Sequence, residues 1–264
     1  MRVILLTRVT AGLLFSFIAL ACSRATSVTP PAPAPAPAPS GPLASARQLV
    51  VVITPGWNAT TGTLRRFGRD DATGSWRSAG ATVPVVVGRT GLAWGDEALA
   101  ASIAQPVKHE GDGKAPAGAF PLDTAFGFAP RAEASWLRMP YAALQPGSEC
   151  VDDDVSAHYN TVVDRATVPR VDWKSAERMR EIAQYRLGVI VGYNATPPRR
   201  GRGSCIFLHI WSGPASSTAG CTALDAGELE SLMRWLDRSR SPALVQLPAA
   251  EYERLRARWQ LPPA

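Results

Sequence analysis

From Gln48 onward the chain is cut into short apolar runs by glycine, proline, aspartate and serine, a rhythm that suits strands far better than long helices. Gln48–Ile53 (QLVVVI) is rich in β-branched residues and stops at Thr54-Pro55-Gly56. Thr63–Phe67, Trp76–Ser78, Pro84–Val87, Gly118–Leu122, Trp136–Met139, Leu187–Tyr193, Cys205–Trp211 and Leu244–Leu247 follow as further strand candidates. Many short strands joined by turns predict a mainly β domain with a few short helices, not a doubly wound α/β fold. The helical segments are Ser175–Gln184, Asp225–Leu236 and a short terminal stretch at Glu251–Trp259. The middle one has the clearest signal. Asp225 with Glu228 three residues on forms an N-terminal capping box, and Leu229, Leu232, Met233 and Leu236 line one face.

Ahead of this domain the composition changes twice. Arg2 and Arg8 precede an apolar run, Val9–Ala21, that is too short to cross a bilayer comfortably and ends in small residues, as a cleavable export signal does. Cys22 directly after Leu20-Ala21 resembles the bacterial lipobox, in which the thiol is acylated and the chain is cut before it. Ala19 stands where that pattern usually has Leu, and Ser23 is not the Asp that favours inner-membrane retention. A lipid-anchored protein at the periplasmic side of the envelope is expected, outer membrane preferred, with residues 1–21 as signal peptide. Residues 22–45 then carry Pro30-Pro31 and an Ala-Pro alternation through Pro39, which cannot build a core and favours extended polyproline II. A dozen such residues reach on the order of 35–40 Å. Residues 46–248 form one domain, and 249–264 a tail.

Lys+Arg 28 against Asp+Glu 22 gives a net charge of +6, but the basic residues are scattered or in small groups such as Arg199, Arg200 and Arg202. Without a polybasic tract interleaved with aromatics, a nucleic-acid partner is not expected. A mildly basic surface suits an acidic polymer, and cell-wall material qualifies.

The chemistry concentrates near the end of the domain. In Gly203–Trp211, strand alternation puts Ile206, Leu208 and Ile210 on one face, and Cys205, Phe207, His209 and Trp211 on the other. His209 therefore points away from the aliphatic core, beside aromatic rings able to wall a cleft. Twelve residues on comes Cys221, after a loop rich in Ser, Gly, Pro and Thr. A strand, a loop and a return bring thiol and imidazole within hydrogen-bond reach. Gly220 frees the backbone beside Cys221, so that amides at Gly220 and Cys221 face a developing oxyanion. A histidine and a cysteine at this spacing are also common as structural residues.

The stretch Phe207–Cys221, closing on Thr218-Ala219-Gly220-Cys221, resembles the active-site motif of the YkuD-type L,D-transpeptidases, in which His precedes a Ser/Thr-x-Gly-Cys turn. Lys108–Phe120, within it Gly113-Lys114-Ala115-Pro116-Ala117-Gly118-Ala119-Phe120, resembles the Gly-x-x-Pro-x-Gly-x-Phe hairpin of the same family, and Cys150–Asp153 and Tyr193-Asn194 are similar to its short-loop branch. The resemblance covers roughly Arg47 to Leu247. It implies a β-rich catalytic domain, Cys221 as nucleophile, His209 as its base, and Thr218, Ala219, Trp211 and Tyr193 in contact with substrate. The implied substrate is a peptidoglycan stem peptide, the implied product a cross-link formed through a thioacyl-enzyme. With water as acceptor the same steps give an L,D-carboxypeptidase. No cofactor and no metal are implied.

Two departures bear on activity rather than fold. His209 is followed by Ile210 where many members have Gly, and Ala223 stands where many carry Arg two residues after the cysteine. A charge that often helps organise the site is then missing, unless Arg199, Arg200 or Arg202 replaces it from the preceding loop, and its absence motivates the alternative of a non-catalytic wall-binding lipoprotein that kept the fold. An NlpC/P60-like endopeptidase is disfavoured because those place Cys before His.

If Cys22 is acylated and Cys221 stays reduced, Cys150 and Cys205 are the natural disulfide in an oxidising compartment, with two buried free thiols as the other reading. Cys205 shares the His209 face but lies about 13 Å along the strand, too far for that base. His109 and His158 read as surface residues. Lys108, Glu110 and Asp112 read as turn-forming and solvated.

Overall fold

The computed structural model describes residues 41–97, 99 and 105–264. The signal peptide, Cys22 and the proline-rich part of the tether lie outside the described residues. Fourteen strands are seen among those described: β1 (Gln48–Thr54), β2 (Thr61–Gly68), β3 (Arg77–Ser78), β4 (Val83–Val86), β5 (Leu92–Trp94), β6 (Ala115–Gly127), β7 (Tyr141–Ala143), β8 (Ser148–Val151), β9 (Val162–Asp164), β10 (Ala176–Arg178), β11 (Leu187–Val191), β12 (Phe207–Ile210), β13 (Thr222–Leu224) and β14 (Pro242–Pro248). Two helices, α1 (Ala226–Trp235) and α2 (Ala249–Trp259), join them.

Eight strands run in the order β1-β14-β6-β11-β12-β13-β4-β2, and β2 returns to pair with β1, which closes the sheet into a barrel. Closure leaves those strands without a free edge. The apolar run of β1 is buried on both faces, as a strand between a core and a covering helix must be. Tyr252, Leu255 and Trp259 of α2 join the main core, so the terminal segment is part of the packed domain. So is Leu43, whose carbonyl accepts from the buried Arg69 guanidinium at 2.7 Å. A smaller sheet, β10-β8-β9, stands beside the barrel.

Most strand expectations hold, and two elements are corrected. Trp136–Met139 is not a strand. Leu137 N–H donates to Ala134 O in a turn, Trp136 lies under the Arg234 guanidinium, and only Arg138 makes an isolated bridge, to Asp237. Ser175–Gln184 is not a helix. Ala176–Arg178 instead pairs with Glu149–Val151 of β8, and two 3-10 turns, Met179–Glu181 and Ala183–Arg186, follow. Pairing overrode local propensity there, and the fold bends Tyr185 back to within 2.6 Å of Glu177. On an α-helix those residues would sit about 12 Å apart along the axis. In α1 the cap is Asp225, whose side chain accepts from Gly227 N–H at 2.8 Å, and Leu229, Leu232 and Met233 are buried as the periodicity requires.

One polar brace crosses the apolar interior. Thr222 Oγ1 donates to Gln246 Oε1 at 2.5 Å, and Gln246 Nε2 donates to the Pro116 carbonyl at 3.0 Å, all fully desolvated. This ties β13, β14 and β6 together next to Cys221. Gln246→Leu is expected to strand the Thr222 hydroxyl and the Pro116 carbonyl, costing about 2–4 kcal/mol. A urea midpoint unchanged from the parent protein would remove the brace from the account of stability.

Candidate active site

β12 and β13 are parallel neighbours with His209 opposite Ala223 and Leu208 opposite Thr222. Cys221 precedes Ala223 by two residues, so alternation points it to the same face as His209, one step back along the sheet. The split expected for β12 is observed. Ile206, Leu208 and Ile210 enter the main core, while Phe207 joins Cys221, Tyr185, Phe126 and the two bridged cysteines in a second cluster.

His209 and Cys221 line one cleft of about 190 Å³ with Tyr185, Trp211, Thr218 and Glu177. A second cleft of about 160 Å³ opens on the other side of the sulfur, lined by Arg89, Lys108, Glu110, Asp152 and Ser204. Glu177, Ala219 and Cys221 belong to both, so the sulfur sits at the junction.

The turn that presents Cys221 is pinned at several points. Thr218 Oγ1 donates to Cys221 O at 2.6 Å and accepts from Gly220 N–H at 3.2 Å. Thr218 N–H donates to Val87 O and Thr218 O accepts from Arg89 N–H, which sews the turn to the end of β4. A Cβ at Gly220 would meet Lys114 O at 3.0 Å, so the position has little room for a side chain. The Gly220 amide is thus already engaged, a correction to its expected oxyanion role. Thr218 holds the turn together while still lining the cleft.

The thiol is buried. Its S–H donates to Cys205 O at 3.3 Å and its sulfur accepts from Phe207 N–H at 3.3 Å. Burial pushes the Cys221 thiol far above the ordinary thiol range, and the Glu177 charge adds to this. The Phe207 amide, the Tyr185 hydroxyl and the Lys108 ammonium oppose it. His209 lies below the usual imidazole range because burial disfavours the cation. Its Nδ1 is 2.8 Å from Ile210 O, and a carbonyl only accepts, so Nδ1 carries the proton and Nε2 the free lone pair. Among the described residues no hydrogen bond joins His209 to Cys221, although both side chains line the same cleft. The Tyr185 ring packs edge-on against His209, 5.2 Å between ring centroids at 72°.

Other expected residues distribute unevenly. Trp211 and Ala219 line the clefts. Tyr193 does not; it packs on Phe120 at 5.5 Å and lines a separate cavity of about 570 Å³. Arg199 and Arg202 both pair with Glu97 beside that cavity, and Arg200 reaches Val155 O. None of the three lines the clefts at Cys221, where the cations are Arg89 and Lys108. Lys108 is not a solvated turn residue. Its side chain is 3% exposed, and Nζ donates to Asp112 Oδ1 at 2.6 Å and to His109 O at 2.7 Å. Glu110 is likewise engaged, accepting from Tyr159 Oη and Ser204 Oγ. His109 is exposed, whereas His158 is half-buried with its ring against Trp173 at 5.4 Å.

Cys150 and Cys205 are bonded, with Cα atoms 6.0 Å apart and 55 residues between them in sequence number, which joins β8 of the small sheet to the residue before Ile206. Cys221 is the free cysteine among the described residues.

Sequence reasoning missed Tyr185 and Glu177. Glu177 fell in the segment read as a helix, Ser175–Gln184, and Tyr185 just beyond its end, and nothing in their spacing announces that they meet. No family model, curated protein or solved structure matches the chain.

Proposed function

We propose that the chain is a cysteine acyltransferase of the L,D-transpeptidase kind that cross-links or remodels peptidoglycan stem peptides, its barrel being that family's catalytic domain. The observation that supports this most is the junction of two clefts at one buried thiol, with a neutral imidazole on the same face and a backbone amide beside the sulfur.

In this reading the Cys221 thiolate attacks the carbonyl at the L-centre of the stem-peptide diamino acid. The Cys221 amide receives the oxyanion, a stabilisation worth roughly a hundred- to thousandfold in rate per donor. The proton lost by the thiol is passed through His209 Nε2 to the leaving terminal D-alanine amine, and the neutral Nε2 then takes a proton from the incoming amine of a second stem as it attacks. Attack by that amine on the thioester forms the cross-link and frees the sulfur; attack by water releases a shortened stem. Acylation at Cys22 and the proline-rich segment would hold the domain at the periplasmic side of the outer membrane, a short distance from the wall.

A non-catalytic wall-binding role is the competing reading, favoured by the protonated thiol and the absent His209–Cys221 bond. Incubation of the purified protein with disaccharide-tetrapeptide fragments separates the two. Mass spectrometry should show D-alanine release together with dimers joined between diamino acids, or shortened monomers if water is the acceptor. Fragments unchanged after prolonged incubation would leave the wall-binding role.

A further inference from the structure

The burial of Cys221 raises a question that its neighbours answer: where the thiol proton goes. His209 is an unsuitable first acceptor here. Protonating it would create a cation and an anion in a site that already holds a buried carboxylate. Tyr185 is better placed. Its hydroxyl donates to Glu177 Oε2 at 2.6 Å, and Tyr185, Glu177 and Cys221 line the same cleft, Tyr185 and Cys221 within one buried cluster. Its ring is clamped edge-on between Phe207, at 5.3 Å, and His209, at 5.2 Å. Glu177 is carried on β10, held against β8 and so next to the Cys150–Cys205 bridge.

We propose that Tyr185 and Glu177 take the proton of the Cys221 thiol, Tyr185 as a catalytic residue at the sulfur and Glu177 as the positioning residue behind it. The S–H turns from the Cys205 carbonyl toward Tyr185 by rotation about Cβ–Sγ. The S–H bond breaks as its proton joins Tyr185 Oη, and the former Tyr185 proton passes to Glu177 Oε2. The products are a Cys221 thiolate, an intact phenol and a neutral Glu177 carboxylic acid. No net charge is created; one anion moves from carboxylate to sulfur, which avoids the desolvation cost of a second buried ion.

The groups facing this pair fit the assignment. Asp152 and Glu110 on the far wall favour a protonated Glu177, and burial pushes its carboxyl up to about 7, with the Tyr185 hydrogen bond opposing. Lys108, paired to Asp112, and Arg89 line the same wall and favour an anion on sulfur. His209 completes the near wall as a neutral ring. The inference rests on Cys221 being the nucleophile of the proposed function, but not on the wall substrate.

The test is therefore alkylation of Cys221 in the intact, bridged protein by iodoacetamide, quantified on the Cys221 peptide from pH 5.5 to 9.5. The rate in the parent protein should rise about tenfold per pH unit at first, as any thiolate fraction does. It should level off above the Glu177 transition, because carboxylate and thiolate then compete for one remaining proton. E177Q should match the parent protein on the acid side and keep rising, reaching about 100-fold faster two pH units above the bend. Y185F keeps the packed ring but loses the hydroxyl, and should alkylate roughly tenfold more slowly or worse throughout. Parallel profiles for E177Q and the parent protein, or an unchanged rate in Y185F, overturn the relay. A relay confirmed here with no turnover of stem fragments would instead count against the proposed substrate alone.

Discussion

Cys221→Ser abolishes covalent capture of a carbapenem and all processing of stem peptides, while the thermal transition stays close to that of the parent protein. The expectation follows from what surrounds the sulfur. A serine hydroxyl can still donate to Cys205 O and accept from Phe207 N–H, so the buried hydrogen bonds survive. Its hydroxyl is a far weaker acid than a thiol and lacks the nucleophilicity of a thiolate. Cys221→Ala is as inactive and less stable, because Phe207 N–H loses its partner at a cost of about 1–3 kcal/mol. The pair is read by intact-protein mass after carbapenem exposure and by calorimetry. Capture that persists in either variant places the nucleophile elsewhere.

The second large effect is structural. Replacing both Cys150 and Cys205 by serine is expected to lower stability by roughly 4 kcal/mol, the loop-closure entropy for a bridge of this span. In a domain this size that is on the order of a 10 °C fall in the melting temperature. The effect reaches the site because Cys205 holds a left-handed backbone, φ 54°, and it is the Cys205 carbonyl that accepts from the Cys221 thiol. Cys205 N–H is also fixed, donating to Asn160 Oδ1 at 2.9 Å. Urea unfolding of the double variant, and of the reduced parent protein, should give matching midpoints. A shift under about 1 kcal/mol would mean that packing alone sets the geometry around Cys205.

What was legible in the sequence was whatever local pattern carries. The β-branched run of β1, the amphipathic face of α1 and the alternation along β12 each follow from short-range periodicity. The pair His209 and Cys221 was legible because the motif lies within one strand, one loop and the next strand. What was hidden depends on contacts far apart in the chain. Glu177 and Tyr185 acquire their roles only because β10 pairs with β8 and the following 3-10 turns fold back under β12. Lys108 looked like a solvated turn residue, yet Asp112 captures its ammonium and Gly203 packs against its stem. The arginines of the Arg199–Arg202 loop stand near the motif in sequence and were the one substitute considered for its missing charge, but Glu97 draws two of them to another cavity. The Ser175–Gln184 segment shows the same lesson for secondary structure: a half-buried stretch took the conformation its neighbours offered.

The seam of the barrel bears on how the chain can be made. β1 lies parallel to β14, with Gln48 beside Pro242 and Thr54 beside Pro248. The first strand of the domain therefore waits for almost the last before its ladder is complete, and β6 waits for β14 as well. A topology so rich in distant pairings has a high contact order and should fold slowly, with little native structure in a chain still emerging. An unfinished chain exposes the edges of β1 and β6 until residue 248 arrives, and shortening the polypeptide before that point would leave both open permanently.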